Sequence, residues 1–148
     1  MKINNMRSTN PQVIPERETP GRTERSNGHF AADLHKVQDD VSLERLNGLL
    51  EQITNQGKRL GYAPTYSELK SYRELVRSFL AEVVGRAYTL QSQTGWDRHG
   101  RQKMYATIKE IDKQLTGLAE DVRAGQERQL AIMDRLDAIR GMLIDLYS

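Results

Sequence analysis

From Ile108 to Leu146 one spacing repeats without a break. Ile108, Ile111, Leu115, Leu118, Val122, Gly125, Gln129, Ile132, Leu136, Ile139, Leu143 and Leu146 follow one another by three and four residues in alternation. Ten of these twelve positions are apolar. An apolar residue every ~3.5 positions makes a seam along one side of an α-helix, and such a seam must be covered by other helices. A strand would need a period of two, so the carboxyl-terminal third of the chain is committed to packed helix. The phase passes Gly125 without resetting, and EDVRAGQERQ around it holds no proline and many good helix formers. The spacing therefore predicts one long helix, bent at Gly125 rather than turned there. Starting near residue 103, it would span ~65 Å at ~1.5 Å per residue, against ~40 Å for the helix before it. The surplus seam has to meet the first helix, a partner chain, or its own second half folded back at Gly125.

The preceding chain supplies candidates for that cover. Phe30, Leu34, Val37 and Val41 are spaced by four, three and four residues, and the phase then slips near Ser42. Leu43, Leu46, Leu50, Ile53 and Leu60 continue at helical spacing, with Gly57 at the one empty seam position. GKRLGYAPT stops this helix, because Gly61 tolerates a left-handed cap and Pro64 disfavours helical geometry in the residue before it. In TYSE, Thr65 stands three residues before Glu68, the pattern of a reciprocal capping box. Leu69, Tyr72, Val76, Phe79, Leu80, Val83, Ala87 and Leu90 then line a face wide enough for a bundle interior. Residues 1–27 carry Pro11, Pro15 and Pro20 among Asn, Ser, Thr and Arg, with almost no apolar residue after Ile14. A disordered tail is expected there, followed by a helical domain over residues 28–148. The predicted fold is all-α, an elongated antiparallel bundle of three to four helices with a long heptad-like carboxyl-terminal helix.

Chemistry is sparse. The chain has no cysteine, which removes disulfides, thiolate metal sites and thiol nucleophiles. His29, His35 and His99 lack a metal-like partner at i+3 or i+4, and the glycine-rich phosphate loops are absent. The neighbouring acids Asp39 and Asp40, and Glu120 and Asp121, point in different directions on a helix and make poor catalytic pairs. No catalysis, cofactor or metal is expected. The start, MKINNMRSTN, lacks the apolar core of a signal peptide, and nowhere does an apolar run reach the ~18 residues of a membrane span, so a cytoplasmic protein is expected.

The charge is unevenly placed. Residues 1–27 hold five Lys/Arg against three acids, which accounts for the whole net charge of +2. Residues 58–103 hold nine Lys/Arg against four acids, so the middle of an otherwise balanced body is basic. Lys70, Arg73 and Arg77 follow one stripe of the capped helix, and Arg98, Arg101 and Lys103 follow in WDRHGRQKMY beside Trp96, the single tryptophan. These residues are the candidate partner-binding set. As a nucleic-acid surface they would grip phosphates while the ring stacks on a base. In the alternative, WDRHGRQKMY is a structural turn whose Trp96 closes the open end of the bundle. Gly125 and Gln129, a small and then a polar residue at successive seam positions, mark a bend or an interface with a partner. A non-enzymatic module for binding another protein, or a second copy of itself, is the leading expectation, and nucleic-acid binding is the alternative.

Three blocks also resemble a known family. QGKRLGYAPTYSELKSYRELVRSFLAEVV is similar to the central block of the YaaR family of small bacterial proteins. WDRHGRQKMYATIKEIDKQL resembles its tryptophan-aspartate turn and following helix, and IRGMLIDLYS its carboxyl-terminal signature. The resemblance implies an all-α cytoplasmic protein whose domain has no assigned function and no catalytic residues to carry over. Gly125 departs from the family, which has a helix former at this place.

Overall fold

The computed structural model describes residues 20–94 and 98–147. Trp96 and residues 1–19 of the expected tail lie outside that range. Among the described residues four α-helices follow in order: α1 (Pro20–Tyr62), α2 (Tyr66–Thr94), α3 (Arg98–Ala124) and, after a 3-10 segment over Gly125–Arg128, α4 (Gln129–Tyr147). The chain divides into two units, residues 1–40 and residues 41–148.

In the first unit the described part is helical from Pro20, ahead of the expected boundary at residue 28. A proline suits the first turn of a helix, where its missing N–H has no partner to lose. Phe30, Leu34 and Val37 keep their helical spacing there, and all three are exposed.

The second unit is the expected antiparallel bundle. Ser42 Oγ donates to Glu82 at 3.0 Å, and Gln56 donates to the Glu68 backbone carbonyl at 3.1 Å, so α1 and α2 run in opposite directions. α1 and α4 are likewise antiparallel, since Tyr147 meets Asn47, Arg140 meets Thr54 and Gln129 meets Gly61. Short connections favour this arrangement, because a helix that reverses within a few residues must lie beside the one before it. The interior is built from the positions that the spacing picks out. Leu46, Ile53 and Leu60 of α1 meet Leu69, Tyr72, Val76, Phe79 and Val83 of α2, with Met104, Ile111, Leu118 and Val122 from α3 and Ile132, Ile139 and Leu143 from α4. Phe79 packs edge-on against Tyr147, with ring centroids 5.9 Å apart.

Three local expectations are revised. α1 passes through Gly61 without a left-handed residue and ends at Tyr62, so Pro64 and not Gly61 is its stop. The capping box is half formed: the Glu68 N–H donates to Thr65 Oγ1 at 3.2 Å, while the Glu68 carboxylate accepts from Gln56 across the hairpin. The seam through Gly125 is shared between two helices instead of following one. Gly125 takes φ +85°, a left-handed conformation that only glycine adopts without cost, and the chain folds back there. Arg135 Nε reaches the Asp121 carboxylate at 2.6 Å, whereas a straight helix would hold residues fourteen apart at ~21 Å.

A candidate docking groove between α1 and α4

Where α1 faces α4 the bundle is open. Ile53, Thr54, Gly57, Lys58, Gly61 and Tyr62 form one wall, and Gln129, Met133, Leu136, Asp137 and Arg140 the other, around a groove of about 450 Å³ that is mostly apolar. That volume lies within the ~300–1,000 Å³ usual for binding clefts. The opening comes from two residues without side chains, Gly57 and Gly61, one turn apart on the wall of α1. A Cβ at Gly57 would meet Tyr72 at 3.4 Å and Leu136 at 3.7 Å, and one at Gly61 would meet Met133 at 3.5 Å. These are ordinary contacts, so alanine would fit at either place. Neither glycine adopts a left-handed backbone. Glycine inside a helix costs up to ~1 kcal/mol relative to alanine, and here neither backbone geometry nor crowding requires it.

Tyr72 lies on the floor. It is 1% exposed. Burial, helped by the Asp137 carboxylate on the rim, pushes the phenol well above its ordinary value near 10 and holds it neutral. Above this floor the rim carries Lys58 and Arg140 as cations and Asp137 as the anion. Arg140 Nε also donates to Thr54 Oγ1 at 3.2 Å, which fixes one edge of the opening.

The residues marked out by the sequence are dispersed. Lys70, Arg73 and Arg77 do share a surface, a depression of about 180 Å³ with Tyr66, Leu69 and Glu74. Arg98, Arg101 and Lys103 belong to the first turns of α3 and not to a loop, and no acid accompanies them in the first turn. Lys103 lines a separate cleft of about 560 Å³ with Arg86, Met104 and Asp145. The Arg101 Nε is buried without a hydrogen-bond partner. About 36 Å of α2 separates Lys70 from Thr94, so the two basic groups stand near opposite ends of that helix. Gln129, marked as a bend or interface position, donates to the Gly61 carbonyl at 2.8 Å and closes the end of α1.

Two features of the site escape a reading of the sequence. Gly57 is visible as an empty seam position, but that it opens a groove depends on α1 lying against α4. Asp121 reads as a surface acid, yet it is 3% exposed and held by Arg135 at 2.6 Å and Arg128 at 3.4 Å. Its place on the seam side, next to Val122, is the one signal that could have shown it.

Comparison with known proteins supports the resemblance read from the three blocks. The family model described as "Protein of unknown function (DUF327)" matches residues 3–147. Across the full length of both chains, the protein is 27% identical to a Bacillus subtilis protein described as "Uncharacterized protein YaaR". The crystal structure of an uncharacterized Bacillus halodurans protein, BH1478, is similar with a TM-score of 0.72 and 33% identity, covering 80% of this chain and 98% of that one. The Thermotoga maritima protein TM1646 is similar with a TM-score of 0.66 and 25% identity, covering 80% and 97% of the two chains.

Proposed function

Given that the chain belongs to the DUF327 family of proteins of unknown function, its role has to be read from its surface, and we propose that it is a non-enzymatic interaction protein of the cytoplasm that receives an apolar helix in the α1–α4 groove. The observation that carries this reading is a mostly apolar groove floored by Tyr72 and opened by Gly57 and Gly61, where neither crowding nor backbone geometry requires glycine. An amphipathic helix laid into a groove buries side chains at i, i+3, i+4 and i+7, and its flanking charges meet the rim. Lys58, Asp137 and Arg140 supply such a rim. A cytoplasmic setting is supported by the absence of cysteine, and no described helix is long and apolar enough to cross a membrane.

Met133→Glu is the direct test, because Met133 is 51% exposed on the groove wall and a charge there blocks an apolar occupant without emptying the core. The full chain and this variant are used as baits in native lysate, with and without nuclease. Proteins retained by the wild type, lost by the variant and indifferent to nuclease are the expected outcome. An identical set on both baits, or a set released by nuclease, would remove the groove from its role.

A further inference from the structure

We infer that the occupant of the groove is a second copy of this chain, whose Phe30, Leu34 and Val37 seat against Gly57, Gly61 and Met133. The inference rests on the groove being a docking site and names what docks there. Phe30, Leu34 and Val37 lie within residues 20–40 and the groove within residues 41–148, so one chain carries both halves of a complementary contact.

Phe30, Leu34 and Val37 are 69%, 45% and 57% exposed, and they fall at i, i+4 and i+7 of α1. Three large apolar side chains on one helical face, each open to water, have the spacing of an anchor set for helix-in-groove binding. Their length suits the receptor. Phe30 to Val37 spans ~11 Å, and the wall from Ile53 to Tyr62 spans ~14 Å at the same helical rise. The charges suit it as well. Asp33, Asp39 and Asp40 accompany the stripe with one base, Lys36, while the rim offers Lys58 and Arg140 with Asp137. A net-acidic segment therefore meets a net-basic rim. The glycines gain a reason in this arrangement. A wall without side chains lets the backbone of an incoming helix approach closely, and that approach is what the bulk of Phe30 requires.

Each copy has one stripe and one groove, so two copies can pair reciprocally, each filling the groove of the other. This gives a complementation test on the full chain. A stripe variant, Phe30→Asp with Leu34→Asp, alters exposed positions only, and Met133→Glu alters the groove. A second groove variant, Gly61→Met, fills the opening with an apolar side chain, and circular dichroism establishes that all of them fold. In sedimentation equilibrium the wild type should dimerise at tens of micromolar or tighter, and each variant alone should associate at least about tenfold more weakly, as expected when an anchor is lost. Mixing the stripe variant with either groove variant should restore a heterodimer, because one copy brings an intact groove and the other an intact stripe. A wild type that stays monomeric in that range overturns the inference, and so does a mixture that fails to associate. Neither result touches the broader reading, which falls if Met133→Glu retains every protein that the wild type captures or if nuclease releases them.

Discussion

Tyr72 and Asp121 are the two buried polar side chains whose titration or pairing matters most, and they behave in opposite ways. The phenol of Tyr72 is raised by burial and by Asp137, so the folded chain holds its proton where the unfolded chain releases it. Its contribution to stability is constant below about pH 10 and declines above it by ~1.4 kcal/mol per pH unit, because there the unfolded state binds one proton fewer. Tyr72→Phe should therefore abolish part of the alkaline loss, as seen by comparing urea melts of both proteins at about pH 9 and about pH 11. At neutral pH the same change should alter stability by less than ~1 kcal/mol, the usual net worth of one hydroxyl. Asp121 is paired. Its side chain is 3% exposed, against 34% for Arg135 and 56% for Arg128. Removing the carboxylate frees two arginines that water can reach, whereas removing Arg135 strands a buried anion on the more distant Arg128. Arg135→Met should thus cost about 3 kcal/mol and Asp121→Asn about 1 kcal/mol, the asymmetry expected when only one partner is deeply buried. Chemical denaturation of the pair measures it, and equal losses would show that the arginines are not resolvated.

At the level of elements, three glycines separate what the sequence displays from what it conceals. Gly61→Ala fits its surroundings and should stabilise the fold by up to ~1 kcal/mol, and Gly57→Ala by somewhat less because Tyr72 lies at 3.4 Å. Gly125→Ala forces a side chain into a left-handed backbone and should cost ~1–2 kcal/mol. Thermal melts distinguish the two signs. Helix content, the stop before Pro64 and nearly every core position were legible, because hydrophobic spacing is a local property of the chain. The reversal at Gly125 was not legible, because the seam keeps its phase on both sides and local pattern does not say which surface covers it. That choice is made by Asp121 and Arg135, fourteen residues apart, and by the handedness of one backbone angle. The groove was hidden for a related reason: an empty seam position becomes an opening only once its facing helix is known.

For the molecule as a whole, the placement of charge bears on the nucleic-acid alternative. Its six candidate cations divide into two groups of three separated by most of the length of α2, and Trp96, which would stack on a base, lies outside the described residues. A single group contacts at most three phosphates, so the slope of log K against log salt on duplex DNA should be no steeper than about −2.7. Fluorescence anisotropy over a salt series provides the slope, and a steeper one would mean that both groups act on one ligand. The hairpin at Gly125 has a different consequence. The unbroken phase that hides the turn also means that α3 and α4, if extended into one rod, would present the same residues in the same register. An α4 released from its own chain can then occupy the equivalent place in another copy, with Asp121 of one chain holding Arg135 of the other. What separates a closed monomer from an exchanged pair is one torsion angle and a 3-10 segment of four residues. Gly125→Ala, which penalises that torsion, should therefore give an added dimer on size exclusion at loadings below the range of the stripe contact. That dimer should persist in the Phe30→Asp, Leu34→Asp background, since exchange of a helix uses the interior and leaves the surface stripe idle.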